Sequence, residues 1–195
     1  MGNDAPGLKK LLKENDLGFV DPMQVRSCYP EGKRMAENYC SSYADEYDVP
    51  VKVIRLAQTF GPGIPKDDNR IFADFVRRAR SGQDIVLRTT GKSTRMYLYI
   101  DDAVTAIFTV LLHGTNGTAY NAANPDTYSS VKEMAEIATQ QFGEERMKVC
   151  IDIDPDAPYP PEHHLPLDVS KLQALGWVPS LNLREMLINL DCYLN

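Results

Sequence analysis

A tyrosine and a lysine four residues apart, Tyr29 and Lys33, are the pair whose types and spacing best suit chemistry. At a helix start, side chains at i and i+4 project to the same side. A phenol is a poor base at neutral pH, but a neighbouring ammonium favours the phenolate. Such a pair can take a proton from an alcohol while hydride leaves the alcohol carbon. Taken alone, the same spacing also fits two ordinary exposed side chains.

A helix must carry this pair, and the sequence predicts one. Pro30 suits a first helical position, where its missing N–H is not needed. Apolar residues then recur at three- and four-residue spacing, which predicts an amphipathic helix of roughly four or five turns. They are Met35, Ala36, Tyr39, Cys40, Tyr43, Ala44 and Tyr47. This stripe needs a partner surface, and we expect a homodimer or higher oligomer.

Strand and helix patterns alternate along the rest of the chain, which predicts the α/β class. Strands are predicted at 51–57, buried in a parallel sheet, and at 85–87, 95–100, 118–122 and 147–151. Helices are predicted at 8–13, 71–79, 103–112, 130–142, 168–175 and 183–193. Asp101 and Asp102 are expected to cap the helix that follows them, and Ser129 or Ser130 caps the next.

Composition limits the kind of protein this can be. The 195 residues include 43% hydrophobic and 25% charged side chains, enough for a packed core. A net charge of -6 argues against a nucleic-acid partner. The sequence contains neither a membrane-spanning apolar run nor a signal-peptide core, so we expect a cytoplasmic protein. The four cysteines are scattered, which favours reduced thiols over a metal site.

Five motifs in one order carry a family resemblance. They are Y-x-x-x-K at Tyr29, RLAQTFGPG from Arg55, STRMYLYIDD from Ser93, TAYNAANP from Thr118 and LDVSKLQALGWVPS from Leu167. Together they cover about residues 26–195 and resemble the extended short-chain dehydrogenase/reductase family, in its sugar-nucleotide epimerase/dehydratase branch. The surroundings of the first motif, RSCYPEGKR, are most similar to the UDP-glucuronate decarboxylase type; dTDP-glucose 4,6-dehydratases and epimerases remain alternatives.

The resemblance implies a fold, a cofactor and a substrate. The fold would be the C-terminal part of a Rossmann-type enzyme with its smaller substrate-binding domain. Residues 1–62 would be the remnant of the NAD-binding domain and residues 63–195 the substrate domain. The cofactor would be NAD, and the substrate a nucleoside-diphosphate sugar oxidised at C4.

The resemblance also assigns roles to single residues. Tyr29 would be the catalytic base and Lys33 its activator, and both would contact the cofactor. Gln58, where the family commonly has asparagine, and Arg70 would contact the substrate. Arg95 would bind the diphosphate, a task that suits the two-pronged guanidinium.

Two departures from the family pattern bear on function. The glycine-rich dinucleotide fingerprint is absent before Tyr29, so most of the cofactor would be held by a missing N-terminal segment. We therefore expect a truncated protein that is inactive as given; a non-catalytic sugar-nucleotide-binding or regulatory protein is the alternative. An arginine common before D-x-S-K is also absent, which leaves His163 or His164 as its candidate substitute.

Overall fold

Helices and strands alternate in the computed structural model, which describes residues 10–143, 147–156 and 159–195. A 3-10 turn, Val25–Ser27, leads into the first helix. The α-helices are α1 (Cys28–Tyr47), α2 (Ile71–Arg80), α3 (Ile100–His113), α4 (Val131–Phe142), α5 (Ser170–Gln173) and α6 (Leu183–Leu194). The α/β class predicted from the alternating patterns is confirmed.

In these described residues, eight strands form three small sheets. They are β1 (Lys52–Leu56), β2 (Gln58–Phe60), β3 (Ile85–Leu87), β4 (Thr94–Tyr99), β5 (Thr118–Ala122), β6 (Asn124–Ser130), β7 (Val149–Ile151) and β8 (His164–Leu165). β1 pairs with β5 and β3 with β7, both in parallel. β4 has parallel neighbours in β2 and β8 and an antiparallel one in β6. β4 thus brings three separate parts of the chain together.

Of the three buried clusters in the described residues, the two largest hold most of these sheets and helices in place. The larger one joins α2, α4 and α6 to β2 and β4, and Phe60 stacks on Phe72 with ring centroids 4.4 Å apart. The smaller one packs α3 against β4 and β5 and includes the single tryptophan, Trp177. Apolar burial of this kind supplies most of the driving force for folding.

Helix boundaries follow capping chemistry where the sequence offers it. Ser130 caps α4 in a capping box with Glu133, and Asn182 does the same for α6 with Glu185. Gly143 follows the last residue of α4 as predicted. The long helix predicted from Pro30 is confirmed as α1, but it begins two residues earlier at Cys28, so Pro30 is its third residue rather than its first.

Several local predictions were wrong. Residues 10–13 are not helical; Leu12 instead bridges Leu167, while residues 8 and 9 lie outside the described part of the chain. Asp101 and Asp102 do not cap α3, whose N-cap is Tyr99. Asp102 lies inside the first turn and accepts hydrogen bonds from the backbone N–H and hydroxyl of Ser180. The fold brings Ser180 next to this carboxylate, although the two residues are 78 positions apart in the sequence.

Three strands were not predicted, and one is less buried than expected. β2, β6 and β8 form because β4 offers them hydrogen-bonding edges, a long-range effect that local patterns do not report. β1 forms where predicted and pairs in parallel, but its side chains are half-buried or exposed. Within the described residues, no helix is long and apolar enough to cross a bilayer.

Candidate active site

Tyr29 and Lys33 lie on the first turns of α1, on the same side of the helix. The Lys33 ammonium nitrogen is 5.5 Å from the centroid of the Tyr29 ring. Both side chains are exposed, Tyr29 by 71%. The structure therefore places the cation beside the phenol, as helical spacing requires. The predicted catalytic roles remain a prediction.

An ion pair holds α1 against β1. The Arg55 guanidinium donates to both carboxylate oxygens of Glu37, over 2.8 and 2.6 Å, and to the backbone oxygen of Glu14 over 2.7 Å. Hydrogen bonding from Arg55 holds the pKa of the Glu37 carboxyl below its usual value. Because Arg55 belongs to the strand that leads to Gln58, this contact positions Tyr29 and Lys33 relative to the rest of the cleft.

Gln58 and Arg95 meet because β2 and β4 are parallel neighbours. The Nη1 group of Arg95 donates to the side-chain oxygen of Gln58 over 3.0 Å. Its Nη2 group lies 3.0 Å from Nε2 of His163. Among the described residues, no carboxylate forms an ion pair with Arg95. The Arg95 guanidinium thus contacts an amide oxygen and an imidazole nitrogen, and neither of these acceptors neutralises its charge.

Arg70 immediately precedes α2 and is already paired. Its Nε donates to Asp68 over 2.9 Å, and its guanidinium carbon lies 4.7 Å from the centroid of the Phe72 ring. Hydrogen bonding to Asp68 raises the pKa of Arg70 and lowers that of Asp68. The contact fixes the guanidinium at the edge of the site.

Four of the five predicted site residues line one cavity of about 590 Å³: Tyr29, Gln58, Arg70 and Arg95. Lys33 is not part of its wall. A second cavity of about 670 Å³ shares Gln58, Arg70 and Arg95 and extends toward the proline-rich loop. The shared residues make the two cavities neighbouring parts of one cleft. Residues from opposite ends of the sequence are thus brought together.

The second cavity also contains residues that the sequence did not identify as site residues. Arg26, Ser93 and Arg88 line it, as does His163. Arg88 forms an ion pair with Asp152. The wall therefore carries four arginines and one carboxylate, Asp74, which suits an anionic ligand. A sequence signal existed only for His163, through the missing arginine before D-x-S-K.

The fold and this cleft define a class of protein. This class is the Rossmann-type extended short-chain dehydrogenase/reductase. Its features here are the parallel strands, the Tyr/Lys pair at a helix start and the arginine-lined cleft. The sequence pattern of the NAD dependent epimerase/dehydratase family matches residues 12–123, more than half of the chain. The chain belongs to this family.

Curated relatives and solved structures agree with that membership. UDP-glucuronic acid decarboxylase 3 of Arabidopsis thaliana is 32% identical over 88% of the chain and 49% of the relative. UDP-glucuronic acid decarboxylase 1 of Xenopus tropicalis is 32% identical over 86% of the chain and 39% of the relative. The chain thus spans about half the length, or less, of these relatives.

Solved structures share the fold at low sequence identity. A UDP-glucose 4-epimerase of Thermotoga maritima, solved with UDP-glucose, superposes with a TM-score of 0.79 at 22% identity, covering 96% of this chain and 58% of that one. A UDP-glucuronic acid 4-epimerase of Bacillus cereus, solved with UDP-glucuronic acid and NAD, gives 0.76 at 19% identity, covering 96% and 57%.

NAD is the cofactor of this family. The chain's own groups that fit it are at the start of α1, where an exposed tyrosine hydroxyl and an exposed lysine ammonium can both donate hydrogen bonds to a ribose. No glycine-rich strand–turn–helix unit occurs in the part of the chain that the structure describes.

Proposed function

We propose that this chain forms the nucleotide-sugar site and supplies the catalytic pair of an NAD-dependent enzyme that oxidises a nucleoside-diphosphate sugar at C4. One observation carries the proposal: Tyr29, Gln58, Arg70 and Arg95 line a single cavity. A proton acceptor and an uncompensated cation thus face the same space. That combination suits a substrate with an alcohol at one end and a diphosphate at the other.

Arg95 is the residue proposed to bind the diphosphate. Gln58 and His163 hold its guanidinium, and neither neutralises the charge. Arg70 and Arg88 each have a carboxylate partner, so they would contribute less to anion binding. Gln58 would therefore have two roles: it would orient the Arg95 guanidinium and also contact the sugar.

Tyr29 is the residue proposed to move the proton. NAD⁺, when bound, accepts hydride from the sugar carbon. Tyr29 would take the proton of the C4 hydroxyl, and the nearby Lys33 ammonium would favour the phenolate and donate to the cofactor ribose. The resulting 4-keto sugar can lose a carboxylate as CO₂, eliminate water or be inverted. The decarboxylase relatives favour UDP-glucuronate and the first outcome.

The proposal divides the work along the chain at residue 62. Residues up to 62 would supply the cofactor side through α1 and β1, and residues 63–195 most of the substrate side. β2 lies before this boundary and pairs with β4 beyond it, so Gln58 would serve both sides.

Association of the chain is proposed from the outer face of α1. Met35, Tyr39, Tyr43 and Tyr47 are all more than half exposed there. The rings of Tyr43 and Tyr47 lie 5.4 Å apart and form a continuous aromatic surface. Such a patch commonly marks a protein interface. A second copy of this chain is the proposed partner.

Isothermal titration of UDP-glucuronate tests the binding half of the proposal. We expect Arg95→Met to weaken binding by about tenfold or more, because a charged hydrogen-bond donor to phosphate is lost. Arg184→Met is the matched control, since Arg184 contacts Gln141 outside both cavities. Equal affinity of the two variants would contradict the assigned diphosphate site.

Turnover of UDP-glucuronate in the presence of NAD⁺ tests the catalytic half. Tyr29→Phe should lower kcat by about 100-fold or more while the affinity for UDP-glucuronate stays within about threefold. Tyr39→Phe, on the same helix but outside the cavity, is the control. Near-normal turnover in Tyr29→Phe would refute the role of the phenol. Tight binding with no turnover in the wild type would favour the non-catalytic alternative.

A further inference from the structure

Both ring nitrogens of His163 have fixed partners. Nδ1 lies 2.9 Å from the backbone oxygen of Pro161, and Nε2 lies 3.0 Å from Nη2 of Arg95. A carbonyl oxygen only accepts hydrogen bonds and a guanidinium only donates them. The hydrogen-bond network therefore assigns the proton to Nδ1 and a lone pair to Nε2. His163 is neutral in this arrangement.

The backbone around His163 is fixed as well. Its N–H donates to the hydroxyl of Ser93 over 3.3 Å, and its carbonyl oxygen accepts from the N–H of Thr94 over 3.0 Å. The ring is half-buried and lines the same cavity as Arg95. His163 is therefore held in place next to Arg95.

The neighbouring histidine is oriented differently. His164 is exposed; its Nδ1 contacts the hydroxyl of Thr94 over 2.8 Å, and its Nε2 lies 3.4 Å from Glu162. It is outside the lining of both cavities. This difference agrees with the alternation of successive side chains in a strand. Of the two candidates left open by the sequence, only His163 reaches Arg95.

We propose that His163 is protonated when a nucleoside-diphosphate sugar binds, so that binding takes up a proton from solvent. The inference rests on the proposed function. A diphosphate oxygen would replace the hydrogen bond between the two side chains, and Arg95 and the new Nε2–H of His163 would both donate to it. One N–H bond forms on Nε2, and the proton comes from the buffer acid.

The electrostatic surroundings of His163 favour proton uptake, rather than release, on binding. The cavity around His163 is lined by the charged side chains of Arg26, Arg70, Asp74, Arg88 and Arg95. Asp74 pairs with Arg78, and Glu162 contacts His164 and Thr90, so neither carboxylate pairs with His163. Without a ligand, the group facing Nε2 is a cation. A bound diphosphate brings two negative charges and makes the imidazolium the favoured form.

Proton uptake can be measured directly. UDP-glucose is the probe, because its diphosphate is a diester and lacks the terminal phosphate proton that titrates near pH ~6. We expect titrations of the chain in two buffers of different ionisation heat to show a net uptake of protons on binding. The affinity should rise several-fold between about pH 8 and about pH 6.

Two variants separate His163 from other titrating groups. His163→Asn keeps an amide that can contact Arg95 but cannot titrate, so its binding should take up no proton and vary little with pH. His164→Asn should behave as the wild type. Equal uptake in the wild type and His163→Asn, or its loss in His164→Asn, would overturn the inference.

The outcomes also distinguish this inference from the proposed function. UDP-glucose binding without proton uptake leaves the proposed site intact and removes the role of His163. The absence of any binding between about pH 6 and about pH 8 would remove both. Thermal unfolding of each variant shows whether it folds, and the imidazole C–H resonance of His163, followed by NMR with and without UDP-glucose, reports its charge independently.

Discussion

The side-chain oxygen of Gln58 accepts a hydrogen bond from Arg95 over 3.0 Å, across two neighbouring parallel strands. Gln58 therefore acts on the cleft through the arginine, and its amide helps to aim a cation that no carboxylate among the described residues neutralises. The longer side chain, where the family commonly has asparagine, is long enough to make this contact.

Gln58→Leu should weaken UDP-glucose binding by roughly tenfold. Leucine has similar size but no acceptor, so Arg95 loses one of its two anchors; a hydrogen bond to a charged group is worth about 1.5 kcal/mol. Titration calorimetry measures the change. Gln141→Leu is a close control, since Gln141 accepts from Arg184 over 2.7 Å outside the cavities. If both variants bind alike, Gln58 does not orient Arg95.

The Glu37–Arg55 pair should contribute stability that disappears in acid. Hydrogen bonding from Arg55 lowers the pKa of Glu37 in the folded state. The contribution is therefore present above the unfolded pKa and lost as pH falls through the folded one. Because both side chains are partly solvated, we expect about 0.5–1 kcal/mol.

Urea unfolding of wild type and Glu37→Gln measures this contribution. The difference in unfolding free energy should be largest near pH ~6 and shrink toward pH ~3. Glu46→Gln makes the same change on the same helix, and no ion pair involves Glu46 among the described residues. A wild-type to Glu37→Gln difference that stays constant with pH would show that the pair adds nothing.

Tyr97→Phe should leave stability unchanged or raise it by about 1 kcal/mol at neutral pH. The Tyr97 side chain is fully buried, and its hydroxyl has no hydrogen-bond partner among the described protein atoms. Tyr120→Phe is the contrasting control, because the Tyr120 hydroxyl accepts from the N–H of Thr115 over 2.9 Å. That variant should lose about 1 kcal/mol.

Alkaline unfolding gives a second test of Tyr97. Burial raises its pKa from 10.0 to about 12. A raised folded pKa means that the unfolded state loses its proton first, so stability present below pH 10 declines as pH rises toward 12. The Phe variant lacks this decline. If wild type and Tyr97→Phe lose stability in parallel above pH ~10, the phenol is not buried in the folded state.

Tyr43→Glu should weaken self-association by about tenfold or more. The substitution places a charge in the exposed aromatic face of α1, where desolvation would be unfavourable. Sedimentation velocity over a range of concentrations measures the effect. Val178→Glu alters another exposed apolar residue and should leave association unchanged. A wild type that remains monomeric at high concentration would argue against the proposed interface.

The local sequence determined those features whose causes are local. Periodic apolar spacing predicted α1, capping serine and glycine bounded α4, and the i, i+4 spacing placed Lys33 beside Tyr29. The order of five motifs predicted the family. These features depend on neighbours within a few turns or on motif order, so the chain itself carries their signals.

Only the tertiary structure decided which distant residues meet. Gln58 contacts Arg95, and His163 rather than His164 lies next to that arginine. Asp102 accepts hydrogen bonds from Ser180 instead of capping a helix. Each of these contacts depends on strand register or on loop docking between segments about 40 to 80 residues apart. Local patterns fix which face of an element is apolar, but the position of a partner from elsewhere in the chain follows only from how the whole core packs.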